Sequence, residues 1–322
     1  METKPVVIVK DLVKKFGDFT AVNQISFEVK QGKIFGFLGP NGSGKTTTIR
    51  MMLGILKPTS GAIEILGQAI DGMNQDLRTR IGYMSQRFSL YNDLTVLQNL
   101  EFYGASYGLE NSILKGRINR ALELAGLVGK KSTPTKDLSG GWRQRLALSV
   151  AIIHNPELIF LDEPTAGVDP ISRRAFWDLL YDLVEQGVTI FVTTHYMDEA
   201  EHCHQLGFIQ EGNIIALGSP DEIKQKTFAN DVIQITPNDP GKTIQVIHEL
   251  QKEGKVSIAG VELYGAQVHV YAKNSQKVGK IIKSEMKRQN IQMRHVSLIK
   301  PTLEDVFIAN VRLANEKKNA ES

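Results

Sequence analysis

A chain of 322 residues, 42% hydrophobic and 23% charged, has room for one large domain and a smaller one, with the composition of an ordinary globular protein. Its formal net charge of +3 is too small to argue for nucleic acid, and no nucleic-acid partner is expected. The single cysteine, Cys203, excludes an internal disulfide and suits a reducing compartment. No N-terminal signal pattern is visible, and the longest apolar stretches, such as Leu146 to Ile153, fall short of the roughly 18 residues of a membrane helix. The expectation is a cytoplasmic protein, in which any membrane role must come through a separate chain.

The predicted elements begin with a β-branched strand from Val6 to Val13 and a turn at Phe16-Gly17-Asp18-Phe19. Ile25 to Val29 alternates apolar and polar residues, as a half-buried antiparallel strand does. Lys33 to Leu38 reads as a buried strand, and Thr46 to Leu56 as a helix. After the breaker cluster Lys57 to Gly61 come strands at Ala62 to Leu66 and Ile81 to Gln86. Helices are predicted over Thr95 to Tyr107 and Ile113 to Ala125, each with apolar residues spaced for one face. They form a helical insert of about Arg87 to Asp137 that interrupts the strand–helix alternation. A helix over Arg143 to His154, a buried strand Leu158 to Leu161, a helix near Ser172 to Gln186 and a buried strand Thr189 to Thr194 follow. A short helix begins at Asp198, a hairpin spans Gln205 to Leu217, and Pro220 to Lys226 is helical.

Near Ala229-Asn230 the pattern changes. The remainder reads β-α-β-β-α-β: Val232 to Thr236, Lys242 to Lys252, Val256 to Leu263, Gln267 to Tyr271, Gln276 to Gln289 and Ile291 to Ser297. That order suits a small ferredoxin-like α+β unit. A last short helix runs from Lys300 to about Val311, and the charged stretch 312–322 is expected to be disordered. The domains are accordingly set at 5–228 and 229–311.

The chemistry centres on Gly39-Pro40-Asn41-Gly42-Ser43-Gly44-Lys45-Thr46-Thr47, which fits G-x-x-x-x-G-K-[ST], the phosphate-binding loop. Gly39, Gly42 and Gly44 let the backbone turn tightly and bring amides to an anion. The following helix adds its positive end, Lys45 a mobile charge for β- and γ-phosphates, and Thr46 a hydroxyl for Mg²⁺. Asp162-Glu163 closes a buried strand. The first carboxylate suits a metal held through water, the second a proton from attacking water; two acids capping the next helix would look the same. Ser139-Gly140-Gly141, after Leu138, stands at a helix start, another anion-binding design that is also an ordinary N-cap. Gln86 and His195 stand at strand ends, where single residues of their kinds are ordinarily structural.

Taken in this order, the motifs make residues 5 to 225 resemble the ATP-binding subunits of ABC transporters. The match rests on the phosphate loop, Gln86, Leu138 to Gly141, Asp162-Glu163, Ala166-Gly167-Val168-Asp169 and His195. Pro301 to Phe307 resembles a closing motif of the ABC-2 type exporter branch, the multidrug or antibiotic-export kind. The resemblance implies an α/β fold: a P-loop NTPase core of the ABC ATPase type with an N-terminal antiparallel sheet and the helical insert. It implies ATP hydrolysis with Mg²⁺. Phe16 stacks on adenine; Gly39, Asn41, Gly42, Gly44, Lys45 and Thr47 hold phosphate; Thr46, Gln86 and Asp162 serve the metal. Glu163 is the general base, with Gln86 and His195 completing the catalytic group.

Ser139, Gly140 and Gly141 of a second copy would close the site, with Asp169 linking the two. With one phosphate loop and one signature per chain, the implied form is a homodimer bound to a separate transmembrane permease of ABC-2 type, peripheral on the cytoplasmic membrane face. The insert would dock on that permease through residues such as Tyr91 and Leu94. Trp142 departs from the signature, which usually has glutamine there; both a packing role and an interface role are open.

Overall fold

In the computed structural model the described residues are 4–72, 75–227, 232–272 and 274–321. They fall into two compact units, Met1–Ser219 and Pro220–Ser322.

The first unit opens with a hairpin of β1 (Pro5–Phe16) and β2 (Phe19–Lys30), followed by β3 (Ile34–Leu38) and α1 (Lys45–Met52). β4 (Ser60–Ile65) and β5 (Gln68–Ala69) return to the hairpin, giving an antiparallel sheet of order β2-β1-β4-β5. α2 (Gln75–Arg80) leads to β6 (Ile81–Met84). α3 (Val96–Ser106) and α4 (Asn111–Leu124) form the helical insert, and α5 (Gly140–Ile152) brings the chain back. Then come β7 (Leu158–Asp162), α6 (Pro170–Glu185), β8 (Thr189–Thr194), α7 (Met197–Ala200), β9 (Gln205–Gln210) and β10 (Asn213–Gly218).

The second sheet runs β10-β9-β3-β8-β7-β6, parallel from β9 to β6 with β10 antiparallel at the edge. Every residue of β3, β7 and β8 is buried. That is why their central residues are continuous apolar runs rather than alternating ones: a parallel strand covered on both faces has no wet side. Phe27 of β2, Phe35 and Phe37 of β3, and Phe191 of β8 pack ring to ring, with Phe27–Phe35 at 5.3 Å and Phe35–Phe191 at 5.4 Å between centroids. This aromatic block fixes the first sheet against the second and stiffens the strands that carry the chemistry. The insert has its own small core of Val96, Leu100, Leu114, Ile118 and Leu122 against Leu146 and Val150 of α5. A capping box at Thr95 and Gln98 starts α3.

The second unit contains α8 (Pro220–Thr227), β11 (Val232–Pro237), α9 (Pro240–Lys252), β12 (Gly260–Tyr264), β13 (Gln267–Tyr271), α10 (Ser275–Arg288), β14 (Met293–Ile299) and α11 (Leu303–Glu321). Its antiparallel sheet has order β12-β13-β11-β14, the arrangement of a ferredoxin-like unit, with Ile233 and Ile235 packed with Val246, Ile247, Ile282 and Met286.

Several boundaries differ from expectation. α1 ends at Met52, not Leu56, because Gly54 takes a left-handed conformation (φ 65°) and breaks the run. β5 and α2, of two and six residues, were not anticipated: elements that short carry no readable period. β12 begins at Gly260 rather than Val256. The unit boundary precedes α8, earlier than the expected 228, and the expected change at Ala229-Asn230 lies outside the described residues. α11 continues to Glu321, past the expected helix end near Val311; Ala, Leu, Arg, Glu and Lys there are strong helix formers.

Candidate nucleotide site

Four neighbouring parallel strands, in the order β3-β8-β7-β6, end on the same side of the sheet. Beyond these carboxyl ends lie the phosphate-loop sequence after β3, His195 after β8, Asp162-Glu163 at β7, and Gln86 just past β6. Residues far apart in sequence therefore meet where open α/β sheets hold ligands.

The loop from Gly39 to Gly44 is braced from two sides. Gly212 donates its N–H to the Ser43 carbonyl at 3.0 Å, and Asn23 donates to Gly212 at 2.9 Å. Gly44 has φ 108°, and a Cβ there would lie 2.6 Å from the Ala21 carbonyl, so only glycine fits. As N-cap of α1 it brings no side-chain acceptor. The first amides of the helix, on Lys45, Thr46 and Thr47, have no acceptor a turn earlier and remain available to an anion. Ser43 Oγ is buried with no hydrogen-bond partner among the described residues. An orphaned buried hydroxyl within such a loop fits a phosphate oxygen as its partner. Lys45, 4% exposed, donates to the carbonyls of Gly39 (2.8 Å) and Pro40 (3.0 Å) and pairs with Glu163 Oε1 at 3.1 Å.

Glu163, 7% exposed, is the meeting point of the site. Besides Lys45, its carboxylate accepts from Gln86 Nε2 at 3.0 Å and faces His195 Nδ1 at 3.4 Å. Its backbone is left-handed (φ 47°), and its N–H donates to the Thr193 carbonyl and to Thr193 Oγ1. Asp162 accepts from Thr193 Oγ1 at 2.8 Å and from Thr46 Oγ1 at 3.1 Å. Burial raises its pKa above the ordinary value, against those two hydroxyl bonds. A hydroxyl and a carboxylate converging this closely form an oxygen donor set suited to a hard cation such as Mg²⁺, and Gln86, which lines the same cleft as Thr46, carries a further amide oxygen.

Phe16, Asn41, Gly42, Gly44, Lys45, Thr46, Thr47, Gln86 and Glu163 line one cleft of about 390 Å³. The sequence reading omitted Phe19, the cross-strand partner of Phe16, which shares a wall of this cleft. Two aromatics flanking a Gly-Asp turn were the available signal. It also omitted Thr193, which ties Asp162 and Glu163 to β8; a polar residue ending an otherwise apolar strand was the cue.

Ser139, Gly140, Gly141 and Asp169 lie outside the cleft, at the N-termini of α5 and α6. Ser139 is exposed and makes no capping bond with its side chain. Asp169 caps α6, accepting from the Ser172 N–H at 2.9 Å, and the bond lowers its pKa. A Cβ on Gly141 would lie 2.6 Å from Ser172 Oγ, so the glycine lets α5 approach α6. Trp142 points into the insert, its ring 5.0 Å from Lys130 Nζ and 5.0 Å from the Arg145 guanidinium, a packing role.

A phosphate loop, a strand-end carboxylate pair and a polar residue on each flanking strand define a P-loop nucleotide site. Comparisons with known proteins carry this further. Residues 22–166 match the ABC transporter family, and residues 218–311 match the family described as ATP-binding protein DrrA1-3-like, C-terminal domain. The chain is 48% identical over 248 residues to the probable multidrug ABC transporter ATP-binding protein YbhF of Escherichia coli, covering 77% of this chain and 43% of that protein; it thus spans less than half that relative's length. It is 35% identical over 305 residues to the Nod factor export ATP-binding protein I of Ralstonia nicotianae, covering 94% of this chain and 93% of that one. Among solved structures, the ATP-binding cassette MJ0796, described as a dimeric post-hydrolysis state bound to ADP and Pi, matches with TM-score 0.60 and 27% identity over 66% of this chain and 98% of that one. The chain belongs to the ATP-binding proteins of ABC transporters, a family of ATPases. No helix among the described residues is long and apolar enough to cross a membrane.

Proposed function

We propose that the chain is the ATP-hydrolysing subunit of an exporter, working as two copies that close on two nucleotides and move a separate transmembrane permease of ABC-2 type. One observation carries the paired reading. The site residues form two sets: those around Lys45 and Glu163 share a cleft, while Ser139 and Asp169 are exposed outside it. A second copy presenting its Ser139 and Gly141 would complete each cleft. The dimeric state described for MJ0796 supports this.

In the proposed reaction, Phe16 and Phe19 offer the base an aromatic wall, and Lys45 with the amides of α1 takes the phosphates. Thr46, Asp162 and Gln86 would hold Mg²⁺, which supplies charge neutralisation at the phosphates. Glu163 takes the proton of the attacking water, and His195 steadies the γ-phosphate. The Lys45–Glu163 pair makes these roles sequential: phosphate that recruits Lys45 frees the Glu163 carboxylate for its proton. Closure of two copies and their release after hydrolysis then form a ligand-driven population shift.

The permease contact is assigned to the insert surface just past Gln86. Tyr91 and Phe102 are about half exposed there and meet edge to face at 4.7 Å, and the half-buried Leu94 lies nearby. The exporter direction rests on the DrrA-like second unit and on the names of the relatives.

The test is size-exclusion chromatography with light scattering on Glu163→Gln. ATP with Mg²⁺ is expected to convert monomer to dimer, and Ser139→Ala to prevent it. A monomer at saturating ATP overturns the paired reading. Co-purification of the permease should fail for Tyr91→Ala with Phe102→Ala; unchanged recovery overturns the docking assignment.

A further inference from the structure

The first turn of α6 is connected to the segment that follows His195 by a cluster outside the roles described so far. Glu199, in α7, is 1% exposed and accepts a hydrogen bond from the Thr165 hydroxyl. Arg173, on α6, faces it with Nε 3.4 Å from Oε1. The same guanidinium lies 4.0 Å from the centroid of the Tyr196 ring, and its Nη1 is 3.3 Å from Asp198 Oδ2. All three of these contacts fall within residues 196–199, directly after His195. The Tyr196 ring in turn lies 4.1 Å from the His195 ring, and His195 faces Glu163.

The other end of the connection is equally defined. The Arg173 N–H donates to the Asp169 carbonyl at 2.9 Å, and Ser172, one residue earlier, fills the space a Gly141 side chain would need. A single helical turn therefore touches α5 on one side and holds the segment after His195 on the other. Side chains in a packed interior transmit small displacements because few alternative arrangements are available.

We propose that Arg173 and Glu199 are positioning residues for ATP hydrolysis: their ion pair ties the Asp169 turn to the His195 segment, so that the turn's position sets the histidine against Glu163. The proposal rests on the reading of Glu163 and His195 given above. Arginine rather than lysine is required because one planar group must meet a carboxylate, stack on a ring and reach a second carboxylate together. Burial raises the Glu199 pKa despite Thr165, Thr194 and Arg173, so a neutral isostere suits the pocket and Glu199→Gln is expected to fold.

The experiment measures steady-state phosphate release and thermal melting on the full chain, in the parent, Arg173→Lys, Glu199→Gln and Glu163→Gln. For Arg173→Lys and Glu199→Gln, kcat is expected to fall about tenfold or more with KM for ATP within about twofold and melting close to the parent. Overturning results are a kcat within about twofold of the parent in either folded variant, or KM and melting temperature worsening in step with kcat, as a purely structural role would give. Glu163→Gln separates the two levels. If it hydrolyses at the parent rate, the site reading fails; if it is slow while Arg173→Lys keeps the parent rate, only this inference fails.

Discussion

Glu163→Gln tests the site on two axes at once. The substitution is isosteric and keeps an acceptor for Gln86, but removes the charge that meets Lys45 at 3.1 Å. Loss of a positioned general base costs about 10²- to 10⁴-fold in rate. Affinity should move the other way. In the parent, Lys45 must leave Glu163 to serve a phosphate, and both groups are more than nine-tenths buried. Their attraction exceeds that of an exposed pair, itself worth at most about 1 kcal/mol. Taking about 1 kcal/mol as the net saved when no carboxylate competes for Lys45, ATP should bind roughly fivefold more tightly. Isothermal titration with Mg-ATP and single-turnover hydrolysis read the two quantities separately. Slow hydrolysis with weakened ATP binding would refute the Lys45 competition, and a rate within about threefold of the parent would refute the base.

Thr193→Val removes a hydroxyl bond to Asp162, and the Mg²⁺ concentration for half-maximal hydrolysis should rise several-fold; an unchanged requirement would place Asp162 outside the metal site. Because burial raises the Asp162 pKa and a cation selects the carboxylate, that Mg²⁺ requirement should also climb as pH falls from about 7 toward that raised value, which a titration series can follow. In the second unit, burial pushes the Asp305 carboxyl upward, but bonds from His269, Thr302 and Tyr271 outweigh it and hold the pKa at about 2, below the ordinary 3.8. The stabilisation, on the order of 2 kcal/mol, is present above the ordinary value and lost as pH falls through about 2; hydrogen exchange in the first turn of α11 should record it, and Asp305→Asn should abolish the pH dependence. Gly141→Ala sets a methyl 2.6 Å from Ser172 Oγ and should lower the melting temperature by several degrees, with Ser172→Gly restoring it.

How far the sequence reveals this molecule depends on what each feature depends on. The phosphate loop, the buried strand before Asp162 and the strand before His195 are legible because local chemistry dictates them. Gly44 can only be glycine, and β3, β7 and β8 are apolar through their centres because both faces are covered, with polar residues such as Thr193 and Asp162 confined to strand ends. The ferredoxin-like order of the second unit is legible because each strand and helix there is long enough to show its period. Thr193 and Phe19 acquire their roles only through pairing, Thr193 opposite Asp162 across β8 and β7, Phe19 opposite Phe16 across the hairpin. Register of that kind is not written in either strand alone. Arg173 and Glu199 were invisible for the same reason: they are two charged residues on two helices, and only the fold buries one against the other.

The two segments left outside the cleft are one corner of the molecule rather than two independent motifs. Gly141 is glycine because Ser172 stands against it, and Ser172 is where it is because Asp169 caps its amide. The signature and the Asp169 turn therefore have roles within their own chain before any second copy arrives. That changes what the motifs mean physically. In the proposed pairing, a partner's nucleotide that engages Ser139 would also meet a turn whose next residues grip the segment behind His195. On the proposed pairing, binding in one cleft would be felt beside the base of the other without a long pathway, across one helical turn and one ion pair. If two copies pair as proposed, that adjacency predicts cooperative hydrolysis, and a variant that frees the corner while leaving each cleft intact should hydrolyse ATP with the two sites uncoupled.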